Sequence, residues 1–344
     1  MQQIIDKAQI EQLRSLVDGA KRIVVCPHVS PDGDAIGSSL AVKYWMQRWG
    51  KDATVVTPNR FPDFLKWMPQ ADSILRLDEQ SVEAMQAVAE ADLFFIVDLN
   101  SHGRMMELEP YVMQNPAPKI MIDHHLNPDA FCSLTISHPE MCATCEVLCH
   151  LIYTLGEWEQ VTTEEAICLY TGMMTDTGAF TYASARSEVY DCISLLLSRG
   201  IDKDRIYRNV YFTASPQRMK LMGYMLYVKM MLTHKKHASI MTLTNAERHR
   251  FGIKNGDTEG FVNLPLQIQG VKLSIFLSED TEHLGRIKVS LRSVDDFPCN
   301  EMSEKFFNGG GHLNASGGHL LCSLDEAVNV AQKAIAAFGD KLND

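Results

Sequence analysis

Three short apolar runs in this chain each end on a side chain that can bind a metal ion. Arg22-Ile23-Val24-Val25-Cys26-Pro27 runs into His28, which opens His28-Val29-Ser30-Pro31-Asp32-Gly33-Asp34. Leu93-Phe94-Phe95-Ile96-Val97 runs into Asp98, and Ile120-Met121-Ile122 runs into Asp123-His124-His125. Oxygen ligands suit hard cations and imidazole suits transition metals, so a mixed Asp/His set favours Mn2+, Fe2+ or Zn2+ over Ca2+. With Asp176 added, His28, Asp32, Asp34, Asp98, His124 and His125 bring the ligand-type residues to seven, too many for one ion and about right for two. Two cations about 3.5 to 4 Å apart can share a carboxylate, activate a water and stabilise both oxygens of an in-line displacement at phosphorus.

Each residue alone has a plainer explanation. An Asp that ends a strand commonly serves a turn or caps a helix, and a lone His is usually structural. Three strand ends, a His-x-x-x-Asp-x-Asp loop and a His pair would need separate coincidences, and this favours one shared site.

The apolar runs are short, β-branched and bounded by turn residues, which reads as buried strands. In open α/β sheets, ligands bind beyond the carboxyl ends of such strands. Residues 35–49 are helical in length and composition, and residues 53–56 are strand-like. Thr162-Thr163-Glu164-Glu165 has the spacing of a capping box for a helix running toward Met174. The alternation predicts an α/β fold with a mostly parallel sheet over residues 1–200. A helix over 189–198 stops at Arg199-Gly200, and residues 201–231, rich in Met, Tyr and Arg, read as a helical connector. Strand-like runs at 238–243, 273–277 and 287–291, a glycine cluster at 309–318 and a helix near 324–338 predict a smaller α+β domain over 232–344.

At 344 residues, 46% hydrophobic and 22% charged, the chain is long enough for two packed domains. Its nine cysteines sit mostly in apolar runs such as Ile167-Cys168-Leu169, so they read as core residues of a cytoplasmic protein and not as a disulfide framework. Cys142, Cys145 and Cys149 fall at spacings that suit one buried helix face. The N-terminus has no signal-peptide pattern, and no stretch approaches the ~20 apolar residues that span a bilayer. No membrane partner is expected. A net charge of -11 argues against long nucleic acid, duplex included, because such affinity comes from many cationic contacts. A small anion remains suitable where bound cations invert the local field.

His28-Val-Ser-Pro-Asp32-Gly-Asp34, Asp98 closing its run, Asp123-His124-His125, Thr175-Asp176-Thr177-Gly178 and Gly309-Gly310-Gly311-His312 together resemble the ordered motifs of the DHH phosphoesterase superfamily with its DHHA1 domain. The match extends over nearly the whole chain. The compact two-domain form resembles the bacterial oligoribonuclease and 3'-phosphoadenosine-5'-phosphate (pAp) phosphatase group, the nanoRNases. The resemblance implies two divalent ions, usually Mn2+, one held by His28, Asp32 and Asp98 and the other by Asp34, Asp98, His124 and Asp176. It further implies that Asp123 orients the His pair and that His125 contacts the scissile phosphate or handles a proton.

The glycine run is weak evidence by itself, since a hairpin explains it equally. Beside His312 and Arg292-Ser293 it becomes a candidate second phosphate site, with arginine's planar fork as the recognising group. In relatives, the corresponding arginine and glycine loop grip the terminal phosphate or nucleotide. Leu313 stands where the family often has Pro, which bears on the rigidity of that loop. Arg104 leaves the proposed site on the loop after Asp98 and is a further candidate for substrate contact. The expected activity is release of 5'-mononucleotides from short single-stranded RNA, and conversion of pAp to AMP. Alternatives are a cyclic or linear dinucleotide phosphodiesterase and, in another class, a catalytically silent nucleotide sensor, which would be suggested by a missing ligand. A homodimer is left open.

Overall fold

The computed structural model describes residues 3–343 apart from His234, Lys236 and Asn255. It divides into two compact units, Met1–Thr213 and Ala214–Asp344.

The first unit is an α/β layer structure around six strands: β1 (Arg22–Cys26), β2 (Asp52–Thr57), β3 (Leu75–Arg76), β4 (Leu93–Val97), β5 (Lys119–Asp123) and β6 (Leu134–Ser137). All pair in parallel, in the order β3-β2-β1-β4-β5-β6. Every residue of β4 and β5 is buried, as expected of central strands covered on both faces. From β1 the chain proceeds outward through β2 and β3, then returns to β4 on the other side. The strand order therefore reverses between β1 and β4, which is where open sheets of this kind leave a crevice.

The helix Gly33–Arg48 follows β1 and is buried on nearly all sides, with Ile36, Leu40, Trp45 and Met46 fully so. It packs on the helices Thr144–Thr154 and Thr163–Asp176. Thr162 caps the latter by accepting the Glu165 amide at 3.2 Å. The reciprocal half of the expected capping box is absent. The Glu165 carboxylate turns inward and takes two hydrogen bonds from the Arg48 guanidinium at 2.9 and 3.1 Å. A buried charge pair wins over a solvated cap contact because neither partner can be left alone in the core.

The second unit holds a mixed sheet of β7 (Met231–Thr233), β8 (Ala238–Leu243), β9 (Leu273–Glu279), β10 (Arg286–Ser293), β11 (Gly310–His312) and β12 (Ala315–Leu321). Their order is β11-β12-β10-β9-β8-β7, antiparallel except for the β8–β9 pair. In β10, Ile287, Val289, Leu291 and Ser293 are buried, while Lys288, Ser290 and Arg292 alternate onto the other face. The buried side packs with Met302, Phe307, Ala331 and Ile335 from the helices Cys299–Phe306 and Leu324–Ala337 and the turn between.

The segment 201–231 is helical, and its two halves serve different cores. The helix Lys203–Tyr211 places Ile206 and Val210 in the core of the first unit. The helix Pro216–Tyr224 and the turn after it place Leu221 and Met225 in a core of the second, with Met241, Phe261 and Phe276. Among the described residues, no helix is long and apolar enough to cross a membrane.

Candidate active site

His28 stands just beyond β1, Asp98 just beyond β4, and Asp123 to His125 at the end of β5, so the switch point gathers all three. The helix Gly33–Arg48 starts from the same loop. Asp32 is its N-cap, accepting the amides of Asp34 and Ala35 through Oδ1 at 3.0 and 3.1 Å. Its other oxygen lies 4.0 Å from His28 Nε2. The capping and metal-ligand readings of Asp32 are thus compatible, because each uses a different oxygen.

Asp98 is almost fully buried and adopts a left-handed backbone, with φ of 58°. Asp and Asn tolerate that region better than most residues. One oxygen, Oδ2, lies 3.5 Å from His28 Nε2, and the other, Oδ1, lies 3.6 Å from His124 Nε2. His124 Nε2 is in turn 3.4 Å from Asp176 Oδ2. Two donor sets result, His28/Asp32/Asp98 and Asp34/His124/Asp176, each with its donor atoms within 4.8 Å of one another. A third set of the same compactness, Asp98/His124/His125, joins them.

Asp34 is held by the start of another helix. Its carboxylate accepts the amides of Thr144 and Cys145 at 2.6 and 3.0 Å, and Thr144 Oγ1 donates to Asp98 Oδ1 at 2.9 Å. The first-turn amides of a helix carry partial positive charge and suit an anion. Sequence reasoning missed Thr144 and Cys145. A hydroxyl residue opening a helix was legible as Thr144, but nothing local told that its partners lie at positions 34 and 98.

The electrostatics fit a cation. Burial pushes the Asp34 carboxyl well above the usual range, and the charges of Asp98 and Asp176 push it further. Asp176 is raised to about 6 by burial and then by Asp98. Burial opposes ionisation of Asp98 as well, but its hydrogen bond from His28 and the charges of His28, His124 and His125 bring it below the ordinary value. His28 is depressed by burial and raised by a larger sum from Asp98, Val29 and Asp32. Asp34 and Asp176, both raised by burial and by neighbouring carboxylates, belong to a donor set short of positive charge, and divalent ions supply it.

Asp123 is fully buried and turns both oxygens toward His125, accepting its backbone amide at 3.0 Å and its Nδ1 at 2.8 Å. That bond fixes the proton on Nδ1 and leaves Nε2 as the exposed nitrogen. It is also the main cause that raises the His125 pKa, against burial and against the nearby Arg104 guanidinium. The Arg104 carbonyl accepts the Val29 amide at 2.8 Å, which ties its loop to that of His28. Arg104 thus stands beside the Asp/His cluster, on the loop tied to that of His28.

Gly172 is a structural requirement of this arrangement. A Cβ there would collide with the Cys145 sulfur and stand 2.7 Å from Asp34 Oδ1. Gly172→Ala should cost about 1–3 kcal/mol of stability through overpacking and lower turnover by displacing Asp34. Urea unfolding and Mn2+-dependent steady-state kinetics would check both effects. Cys145 and Cys149 are buried on the helix Thr144–Thr154, and Cys142 is buried just before it. Glu146 nearby shares a compact set with His150 and Cys192, but it already receives the Cys142 amide at 2.7 Å and pairs with Arg186 at 3.1 Å. These contacts account for it as a structural anchor.

In the second unit, Arg292 lines a cleft of about 450 Å³ with Arg248, Lys288, Ser290 and Phe276. Ser293 faces the opposite way. Its hydroxyl donates to the Phe297 carbonyl at 2.7 Å and accepts from Asn314, so it braces the turn and does not join Arg292. Gly309, Gly310 and Gly311 run into the β11–β12 hairpin. A Cβ on Gly309 would collide with the Gly317 carbonyl, and one on Gly311, whose φ is 143°, would stand 2.6 Å from the Ala315 carbonyl. Close strand crossing thus explains two of the glycines, and His312 is left exposed on the edge strand.

Residues 22–173 match the model of the DHH family, N-terminal domain, and residues 235–338 match the DHHA1 domain. The bifunctional oligoribonuclease and PAP phosphatase NrnA of Thermus thermophilus is 30% identical, over 91% of this chain and 89% of its own length. The cyclic-di-AMP phosphodiesterase PdeA of Listeria monocytogenes is 26% identical over 95% of this chain, which spans 49% of that longer protein. A crystal structure of an exopolyphosphatase-related protein from Bacteroides fragilis superposes over the full length of both chains, with a TM-score of 0.92 and 47% identity.

Proposed function

The chain belongs to the DHH phosphoesterase family with a DHHA1 domain, and from that premise we propose that it hydrolyses very short RNA oligonucleotides to 5'-mononucleotides and pAp to AMP. The observation that carries the reading is Asp98, a buried carboxylate with one oxygen toward each of two donor sets. His28, Asp32 and Asp98 would hold one divalent ion, and Asp34, Asp98, His124 and Asp176 the other, with Mn2+ the expected metal. Such a pair supplies an activated water and compensates charge on both the entering and the leaving oxygen. His125, oriented by Asp123, offers Nε2 to the scissile phosphate or to a proton in transit. Arg104 adds fixed positive charge beside it. The substrate class rests on the Thermus relative, which matches along nearly its whole length.

Arg292 and His312 are the recognition groups of the second unit in this reading. Arg292→Ala should raise KM by about 10- to 100-fold, the scale of a lost charge-assisted hydrogen bond, and leave kcat and metal stoichiometry nearly unchanged. Steady-state kinetics with calorimetric Mn2+ titration separate the two effects. Equal losses in kcat and metal binding would remove Arg292 from substrate recognition.

A cyclic dinucleotide phosphodiesterase is the second reading, favoured by the Listeria relative. The deciding experiment is Mn2+-dependent turnover, side by side, of a diribonucleotide, a five-residue RNA, pAp, cyclic di-AMP and inorganic polyphosphate, with chelator controls. Fast cleavage of the linear RNAs or pAp supports the first reading. Preference for the cyclic substrate selects the second, and turnover of polyphosphate alone overturns both.

A further inference from the structure

Beside the ligand cluster lies a group of aromatic rings that the chemistry above does not use. Tyr182 and Phe212 are 59% and 70% exposed, and Tyr207 and Tyr211 are each 39% exposed. Tyr207 stacks at a tilt on Tyr211 with ring centres 4.8 Å apart and meets Phe212 edge-on at 5.6 Å. Tyr182 and Tyr211 both contact the same end of the helix Thr163–Asp176, so Tyr182 borders this trio.

The patch is anchored at the metal-ligand end of the helix Thr163–Asp176. The Tyr211 hydroxyl donates to the Met174 carbonyl at 3.3 Å, and the Tyr182 ring packs against Gly178. Gly178 lies two residues beyond Asp176, and the Tyr182 amide donates to the Thr177 carbonyl at 3.2 Å, so this ring borders the cluster. Clustered exposed rings are costly to leave in water and mark binding surfaces. Rings already held by one another lose little freedom when a flat partner settles on them.

We propose that Tyr182, Tyr207, Tyr211 and Phe212 form a platform on which a nucleobase of the substrate stacks, next to the phosphate bound at the Asp/His cluster. The proposal rests on the nucleotide reading and deepens it. A phosphate ester with an adjacent π-face suits a charged site that borders an aromatic patch, whereas inorganic polyphosphate has nothing to place there. Stacking tolerates any base, so the platform selects nucleotides over other phosphates without selecting sequence.

The test compares a diribonucleotide with the same backbone lacking its bases, in wild type, Tyr182→Ala, Tyr182→Phe and Phe212→Ala. The ratio of kcat/KM between the two substrates should fall about 10-fold in Tyr182→Ala, the scale of one stacked base, and hold in Tyr182→Phe, which keeps the ring. Binding of AMP against ribose 5-phosphate by the Mn2+-loaded protein reads the same preference without turnover, and Tyr182→Ala with Phe212→Ala should bring the two affinities together. Equal losses on both substrates, or no change in either ratio, overturn the platform while the nucleotide reading stands. Sedimentation showing that Phe212→Ala splits a dimer, with both substrates affected alike, also overturns it by making the patch an interface between copies. Failure of the wild type to hydrolyse any nucleotide sinks the nucleotide reading and the platform with it.

Discussion

Asp98→Asn should abolish turnover, by roughly 10³-fold or more, on the scale of removing a principal electrostatic group from an active site. The substitution isolates charge from shape. Asparagine keeps the size of the side chain and tolerates the left-handed backbone at this position, where φ is 58°. Its carbonyl oxygen can still accept the hydrogen bond that Thr144 Oγ1 gives Asp98 Oδ1 at 2.9 Å. What is lost is the negative charge that faces His28 and His124 together. Alanine would confuse the result, because it would strain the backbone and strand the Thr144 hydroxyl in the core. The expected picture is a protein that melts cooperatively near the wild-type temperature, binds fewer than two Mn2+ per chain in a calorimetric titration, and has no measurable hydrolysis. Turnover within about tenfold of wild type would remove the shared carboxylate from the proposed chemistry, since even a single oxyanion-type contact is worth more than that.

The centre of the fold was legible because its signals are local. The runs ending on His28, Asp98 and Asp123 are short and apolar, and they become β1, β4 and β5 with these side chains at or just beyond the carboxyl ends. Asp32 was legible in two ways at once, as a cap and as a ligand, and it serves the first while lying near His28 for the second. What the sequence hid depends on contacts between distant residues. Glu165 has the spacing of a capping-box partner, but Arg48 lies more than a hundred positions away and turns it into the core. Ser293 follows Arg292 in the chain, and the two-residue period of a strand sends it to the opposite face. The glycines at 309 and 311 could belong to an anion nest or a tight hairpin, and only the strand partners at 315 to 317 distinguish these.

Mn2+ should stabilise the first unit strongly at pH 7.5 and weakly at pH 5. In the metal-free protein Asp176 keeps its proton up to about 6, against an ordinary value of 3.8. Between those two values the folded state binds more protons than the unfolded state, so this group's contribution is lost as pH rises. His28 and His125 act in the same direction, since both are raised above 6.5 when folded. Their contribution is complete below 6.5 and is lost as pH climbs through the folded values. Asp98 runs the other way, but its folded value is depressed, so its contribution fades only in acid below the ordinary carboxylate range. The metal-free unit thus loses stability between pH 5 and pH 7.5, as Asp176 and then the histidines give up their protons. Metal ions need those same ligands deprotonated, so binding reverses the trend. At a hundred times its Kd an ion adds about 2.7 kcal/mol, which is roughly 5–10 °C for a unit of about 200 residues. At pH 5 protons compete for Asp34, Asp176 and the histidines, and the shift should shrink to ~1–2 °C. Scanning calorimetry with and without Mn2+ at the two pH values measures this directly, and Asp176→Asn should flatten the metal-free pH dependence. An equal shift at both pH values would mean that the stabilising ion binds away from the Asp/His cluster.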